Sequence, residues 1–168
     1  MKARRSVDPS TFVVRRRDGS DIIDDIDDLR KLGTVELLDG FPDRCLMRPD
    51  STSANAKETW RQLRNQLRPK FEIEPALVDD RGTPSYPTGT ITVRFKHTPD
   101  DDELIEYERE WGMIVKERNR YIPNQVTFQQ EGEAGGRYLP DVVEIIQRSD
   151  NRVQAAWLDA ISRYERNY

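Results

Sequence analysis

Thr90-Ile91-Thr92-Val93-Arg94-Phe95 alternates apolar and polar residues without a break, the mark of a strand with one buried face. The elements after this strand decide the fold. Thr98-Pro99-Asp100 offers an N-cap with proline at the first helical position. Leu104, Tyr107 (or Glu108) and Trp111 stripe a helix that Gly112 ends. Ile114 to Glu117 and Gln125 to Gln129 read as a hairpin across Arg118 to Asn124. Leu139, Val142, Val143 and Ile146 stripe a second helix with Pro140 near its start, and Arg152 to Leu158 closes the set as a strand.

The first half spells the same order. Phe12 to Arg16 reads as a strand, and Asp18-Gly19-Ser20-Asp21 leads into a helix over about 20–32 with Ile22, Ile26 and Leu29 on one side. Gly33 stands where a C-cap belongs. Thr34 to Leu38 and Arg44 to Arg48 flank Asp39-Gly40-Phe41-Pro42-Asp43, a hairpin connection. Ser51 to Ser53 can cap a second helix carrying Ala56, Trp60, Leu63 and Leu67, which Pro69 stops before a strand from Phe71. One copy's pattern checks the other's. The expectation is an α+β protein of two tandem ferredoxin-like βαββαβ sandwiches, each with a four-stranded antiparallel sheet. The expected bounds are an N-terminal tail 1–10, a first unit 11–79, a linker 80–89, a second unit 90–160 and a C-terminal tail 161–168. Two prolines and Gly82 make the linker short and stiff.

Composition narrows the chemistry. At 168 residues there is room for two units of about 70 residues each. With 27 basic against 31 acidic residues and net charge −4, no basic excess exists to displace nucleic-acid counterions. The basic run Arg15 to Arg17 and the acidic run Asp21 to Asp28 read as solvated faces. Cys45 is the only cysteine, so neither an intramolecular disulfide nor a thiolate zinc site can form. No apolar run approaches a membrane span, and the basic start at Lys2, Arg4 and Arg5 is followed by polar Ser6-Val7-Asp8-Pro9 rather than a signal core. A cytoplasmic protein without cofactor or metal is expected.

With helices on one side of each sheet, the other side is open. In the second unit it should present Thr90, Thr92, Arg94, Gln125, Thr127 and Gln129, either simply solvated or as a docking surface.

The second unit resembles the prodomains of subtilisin-family serine proteases, particularly the fervidolysin-like group. The resemblance is carried by Tyr86-Pro87-Thr88-Gly89-Thr90 through Lys96, by the glycine-ended helix, and by Met113 to Thr127. The most specific stretch is Arg120-Tyr121-Ile122-Pro123-Asn124-Gln125-Val126. In the first unit, Phe71-Glu72-Ile73-Glu74-Pro75 is similar to the Glu-Pro close of such prodomains. The second unit departs there, reading Trp157-Leu158-Asp159-Ala160. The resemblance implies a non-catalytic protein that binds a subtilisin-type protease, in cis or in trans, as inhibitor or folding chaperone. It implies docking through the open sheet face and through an extended tail threaded in the substrate cleft. Residues 161–168 stand in the place of that tail, with Arg163, Tyr164, Glu165, Arg166, Asn167 and Tyr168 as its partner-binding residues. The same residues could instead form a frayed helical end or a disordered stub.

Rival functions leave fewer traces. RNA recognition on this fold needs outward aromatics, and the expected outward residues, Arg15 included, are not aromatic. Phosphatase-type chemistry needs a glycine-rich cradle, which Arg17-Asp18-Gly19-Ser20 does not make. Asp24 and Asp28 read as solvated charges, and His97, the single histidine, as a surface or capping residue. An adaptor or regulatory module for a non-protease partner or a small ligand is the alternative.

Overall fold

The strand Arg5–Arg16 (β1) is packed on both faces at its middle, where Phe12, Val13 and Val14 have no solvent exposure. The computed structural model describes residues 5–53, 55–130 and 137–162. It is a mixed α/β protein of eight strands with antiparallel ladders and four α-helices among those residues. The chain divides into two units, one running to Pro87 and joined by the segment from Ala160, the other Thr88–Asp159.

In the first unit, β1 pairs antiparallel with Arg44–Pro49 (β3) through Phe12↔Met47 and with Phe71–Asp79 (β4) through Val14↔Ile73. Gly33–Leu37 (β2) pairs with β3, giving the order β2-β3-β1-β4. The expected stripe Ile22, Ile26 and Leu29 is buried, yet it rides on a 3₁₀ turn, Ile23–Asp25, and a helix of only five residues, Ile26–Arg30 (α1). That is shorter than the helix read over 20–32. Aspartate side chains compete with helical bonding, as where Asp21 Oδ1 accepts the Ile23 amide at 2.9 Å. Helix Ala56–Leu67 (α2) packs on β4 and β1, and its Trp60 indole donates to the Ile73 carbonyl at 2.8 Å. Its N-cap is Asn55, which accepts from Lys57 and Glu58, rather than Ser51 to Ser53. The opposite face of β1 holds Val13, Leu46, Ala76, Leu38 and Tyr86 in one apolar cluster.

Two sequence boundaries move. Residues 5–10, read as tail, are strand paired Arg5↔Asp79 to Val7↔Leu77, with an irregularity before Phe12 where Asp8 bonds Ser10. Their polar composition hides strand pairing that makes little use of side chains. Most of the expected linker is also strand: after a turn in which Asp79 Oδ1 accepts the Arg81 and Thr83 amides, Pro84–Phe95 (β5) begins beside β4. Proline fixes φ near the extended range and is tolerated where its missing N–H is not needed, so the prolines there do not end the strand.

In the second unit β5 continues as a central strand. Gln125–Gln130 (β7) pairs with it through Ile91↔Phe128 and Val93↔Val126, Met113–Arg118 (β6) pairs with β7, and Val153–Ser162 (β8) pairs with β5. The order is β6-β7-β5-β8. Helix Asp101–Trp111 (α3) starts at Asp100, which forms a reciprocal capping box with Glu103, and ends at Gly112 with φ 63°. The expected Thr98 cap is displaced because an aspartate three residues before a glutamate satisfies two orphan amides at once. Tyr107, not Glu108, faces the core, edge-on to Phe95 at 5.1 Å. Helix Leu139–Ser149 (α4) buries Leu139, Val142 and Ile146.

Gly33 is the first residue of β2, not a helix cap. A Cβ there would lie 2.2 Å from the Arg48 carbonyl oxygen. Gly33→Ala is therefore expected to lower stability by about 1–3 kcal/mol, toward the upper end because the clash is with backbone. A lower urea midpoint at unchanged slope would register it.

Candidate binding surface

The sheet face opposite the helices of the second unit is built from alternate residues of β5, β7 and β8. Asp159 Oδ2 accepts the Thr90 hydroxyl at 2.7 Å, and Asp159 Oδ1 accepts the Thr92 hydroxyl at 2.8 Å. Thr92 and Thr127 hydroxyls are 3.0 Å apart, and Thr88 donates to the Asp159 carbonyl at 3.3 Å. One end of the row is different: Arg94 donates to Gln125 Oε1 at 3.1 Å and lays its guanidinium over the Trp157 ring, 5.5 Å from its centre.

The structure brings the six expected face residues onto one surface but does not leave them bare. Thr90 and Thr92 are 6% and 3% exposed, a correction to the open face read from sequence. Arg94, Gln125, Thr127 and Gln129 are half-buried. Buried hydroxyls need partners, and Asp159 supplies them from β8. Sequence reasoning missed Asp159, Trp157 and Thr88. The signal was present in the period of β8, where Trp157 and Asp159 alternate with Ala156 and Leu158. Of the expected tail, Ile161 and Ser162 belong to β8; Arg163, Tyr164, Glu165, Arg166, Asn167 and Tyr168 lie outside the described residues.

The charged runs of the first unit are not all solvated either. In a strand, consecutive arginines take opposite faces. Arg16 bonds Asp18 at 3.0 Å and the buried Asp25 at 2.9 Å, and Lys70 also bonds Asp25. Arg17 pairs with Glu72 at 2.7 Å. Asp24 and Asp28 are exposed, as expected. Arg15 lies 3.7 Å from Glu74, a residue only 5% exposed whose Oε2 has no hydrogen-bond partner. Burial, opposed by Arg15 and Arg44 and reinforced by Glu72, pushes the Glu74 carboxyl up to about 7. Cys45 is fully buried, and burial pushes its thiol up to about 12, so it is a core side chain and not a reactive thiolate.

A cleft of about 320 Å³ lies within the second unit, where β5 gives way to α3. Phe95, Tyr107 and Pro99 form its apolar part, with Lys96, His97, Glu106 and Arg152 around it. Arg152 stacks 4.9 Å from the Tyr107 ring centre and is already neutralised by Asp150 at 2.8 Å and Glu110 at 2.9 Å. The size suits a small ligand. No side chain there pairs a nucleophile with a base. Among the described residues no group of three His, Cys, Asp or Glu side chains is placed to hold a metal ion, and no helix is long and apolar enough to cross a membrane.

Comparison with protein-family models, curated proteins and solved structures returned no match.

These buried charges and hydroxyls set two expected outcomes. Asp159→Ala removes the carboxylate that both hydroxyls donate to, leaving Thr90 only Thr88 and Thr92 only Thr127 as neighbours at 3.0 Å. It is expected to cost about 1–3 kcal/mol, read as a lower melting point. Glu74 has a folded pKa above its unfolded value, so its contribution is fully present below about pH 4.5 and is lost as pH rises through about 7. Stability is expected to fall by about 3 kcal/mol across that window. Glu74→Gln should flatten this dependence in denaturation series at pH 5 and pH 8; an unchanged slope would remove Glu74 as its source.

Proposed function

We propose that this protein is a non-catalytic, prodomain-like binding protein that engages a subtilisin-type serine protease as inhibitor or folding chaperone. Each unit is read as a ferredoxin-like βαββαβ sandwich, a reading that the strand orders β2-β3-β1-β4 and β6-β7-β5-β8 support. The observation that carries the proposal is the course of β8. It is extended from Val153 to Ser162, leaves the second unit after Asp159, and is fastened there by the Thr90 and Thr92 hydroxyls. An extended, anchored backbone is the form in which a peptide adds to an exposed strand edge by main-chain pairing. The half-buried state of the sheet face shifts the expected weight of binding away from Thr90 and Thr92 and toward the segment beyond Ser162.

The edge strand β6 is a poorer candidate for such pairing. Its Val115 amide is already taken by Glu108 Oε2 at 2.9 Å, and the ladder is irregular between Val115 and Glu117. The 320 Å³ cleft favours a second reading, a regulatory module for a small ligand.

The test is inhibition of a purified subtilisin acting on a chromogenic peptide. The full chain is expected to inhibit, and truncation after Ser162 to weaken inhibition by about tenfold or more with an unchanged melting point. Absence of inhibition by the full chain would discard the protease reading.

A further inference from the structure

The hairpin connection between β6 and β7 spends its hydrogen bonds on holding one shape. Asn119 Oδ1 accepts the amides of both Tyr121 and Ile122 at 2.9 Å. The Asn119 amide donates to the Gln125 carbonyl at 3.0 Å, and the Gln125 amide donates to the Ile122 carbonyl at 3.0 Å. Asn124 fastens the outgoing end to β5, its Nδ2 donating to the Phe95 carbonyl at 2.7 Å while its own carbonyl accepts the Phe95 amide. On the incoming side Arg118 donates to Asp101 at 2.8 Å and to the Pro99 carbonyl at 2.9 Å.

The side chains this frame displays contribute little to folding. Tyr121 is 87% exposed, more than any other large hydrophobic residue among the described ones, and Ile122 beside it is also exposed. Arg120 is exposed too, and among the described residues its side chain has no ion pair or hydrogen bond. A loop that serves only to reverse the chain needs neither an aromatic tip nor a fixed backbone. Tyrosine and arginine are the side chains that most often anchor protein interfaces. Tyrosine adds large contact area at the cost of two torsions, and a backbone already ordered removes much of the entropy lost on docking.

We infer that Arg120-Tyr121-Ile122 is a docking tip for a folded protein surface offering an apolar pocket, filled by the Tyr121 ring, with carboxylates at its rim opposite Arg120. Resting on the function proposed above, the pocket lies on the protease, outside the cleft that receives the chain's extended segment. The cleft-bound segment and the tip then hold the partner at two separate places, and their contributions combine as linked sites do.

Surface plasmon resonance against a subtilisin with its active-site serine replaced by alanine tests this with the full chain. Tyr121→Ala is expected to bind about tenfold or more weakly with an unchanged melting point, while Tyr121→Phe retains binding. Arg120→Glu should slow association, most strongly at low salt, and Arg120→Lys should not. If the unaltered chain binds and Tyr121→Ala binds equally well, the docking tip is overturned and the proposed function stands. If the unaltered chain does not bind, both are overturned.

Discussion

Both central strands must satisfy two different faces at once, and the rest of each unit is arranged around that demand. β1 and β5 are hydrogen-bonded on both sides, so neither can turn a face outward by moving to an edge. Toward the helices the solution is apolar. Phe12 and Val14 meet α2 and its neighbours, and Ile91, Val93 and Phe95 meet the aromatic cluster around Tyr107. Burying each such side chain is worth about 1.5–3 kcal/mol, which makes this face the dominant source of stability.

Away from the helices the two units solve the problem differently. The first places Val13, Leu46, Ala76 and Tyr86 beside a charged pair, Arg15 and Glu74, whose geometry is too long for a full hydrogen bond. Desolvation wins over the Arg15 charge there, and Glu74 resists ionisation. The second uses hydroxyls and one carboxylate in mutual contact, a network in which Thr90 and Thr92 find their acceptor. A satisfied polar row of this kind fixes strand register, because a slip by one residue would send Asp159 to the apolar face.

This difference shapes what each surface can do. A face whose polar groups are already paired offers a partner little unspent hydrogen bonding, which is why the proposed function rests on the course of β8 and the proposed docking tip on the β6–β7 connection rather than on Thr90 and Thr92. The cleft beside Tyr107 is less committed, since its strongest cation, Arg152, is spent on Asp150 and Glu110.

Hydrophobic period and breakers were enough to locate the eight strands and to place Gly112 as a cap, because alternation and left-handed caps are local properties of the chain. They also placed six face residues on one surface. Local pattern misjudged what depends on contacts far along the chain. Gly33 looked like a cap until the Arg48 carbonyl was seen against it, and residues 5–10 looked like a tail because pairing with β4 needs no apolar side chains. Polar residues read as outward-facing, Thr92 on an open sheet face and Asp25 in a solvated acidic run, because their character is intrinsic. Their most distant partners lie 67 residues away for Thr92 and 45 for Asp25. The sequence by itself determined the order of the strands and helices and most of their buried apolar positions; only the tertiary structure decided where strands extend by backbone pairing and which polar groups are buried, since both belong to the neighbours that folding assembles.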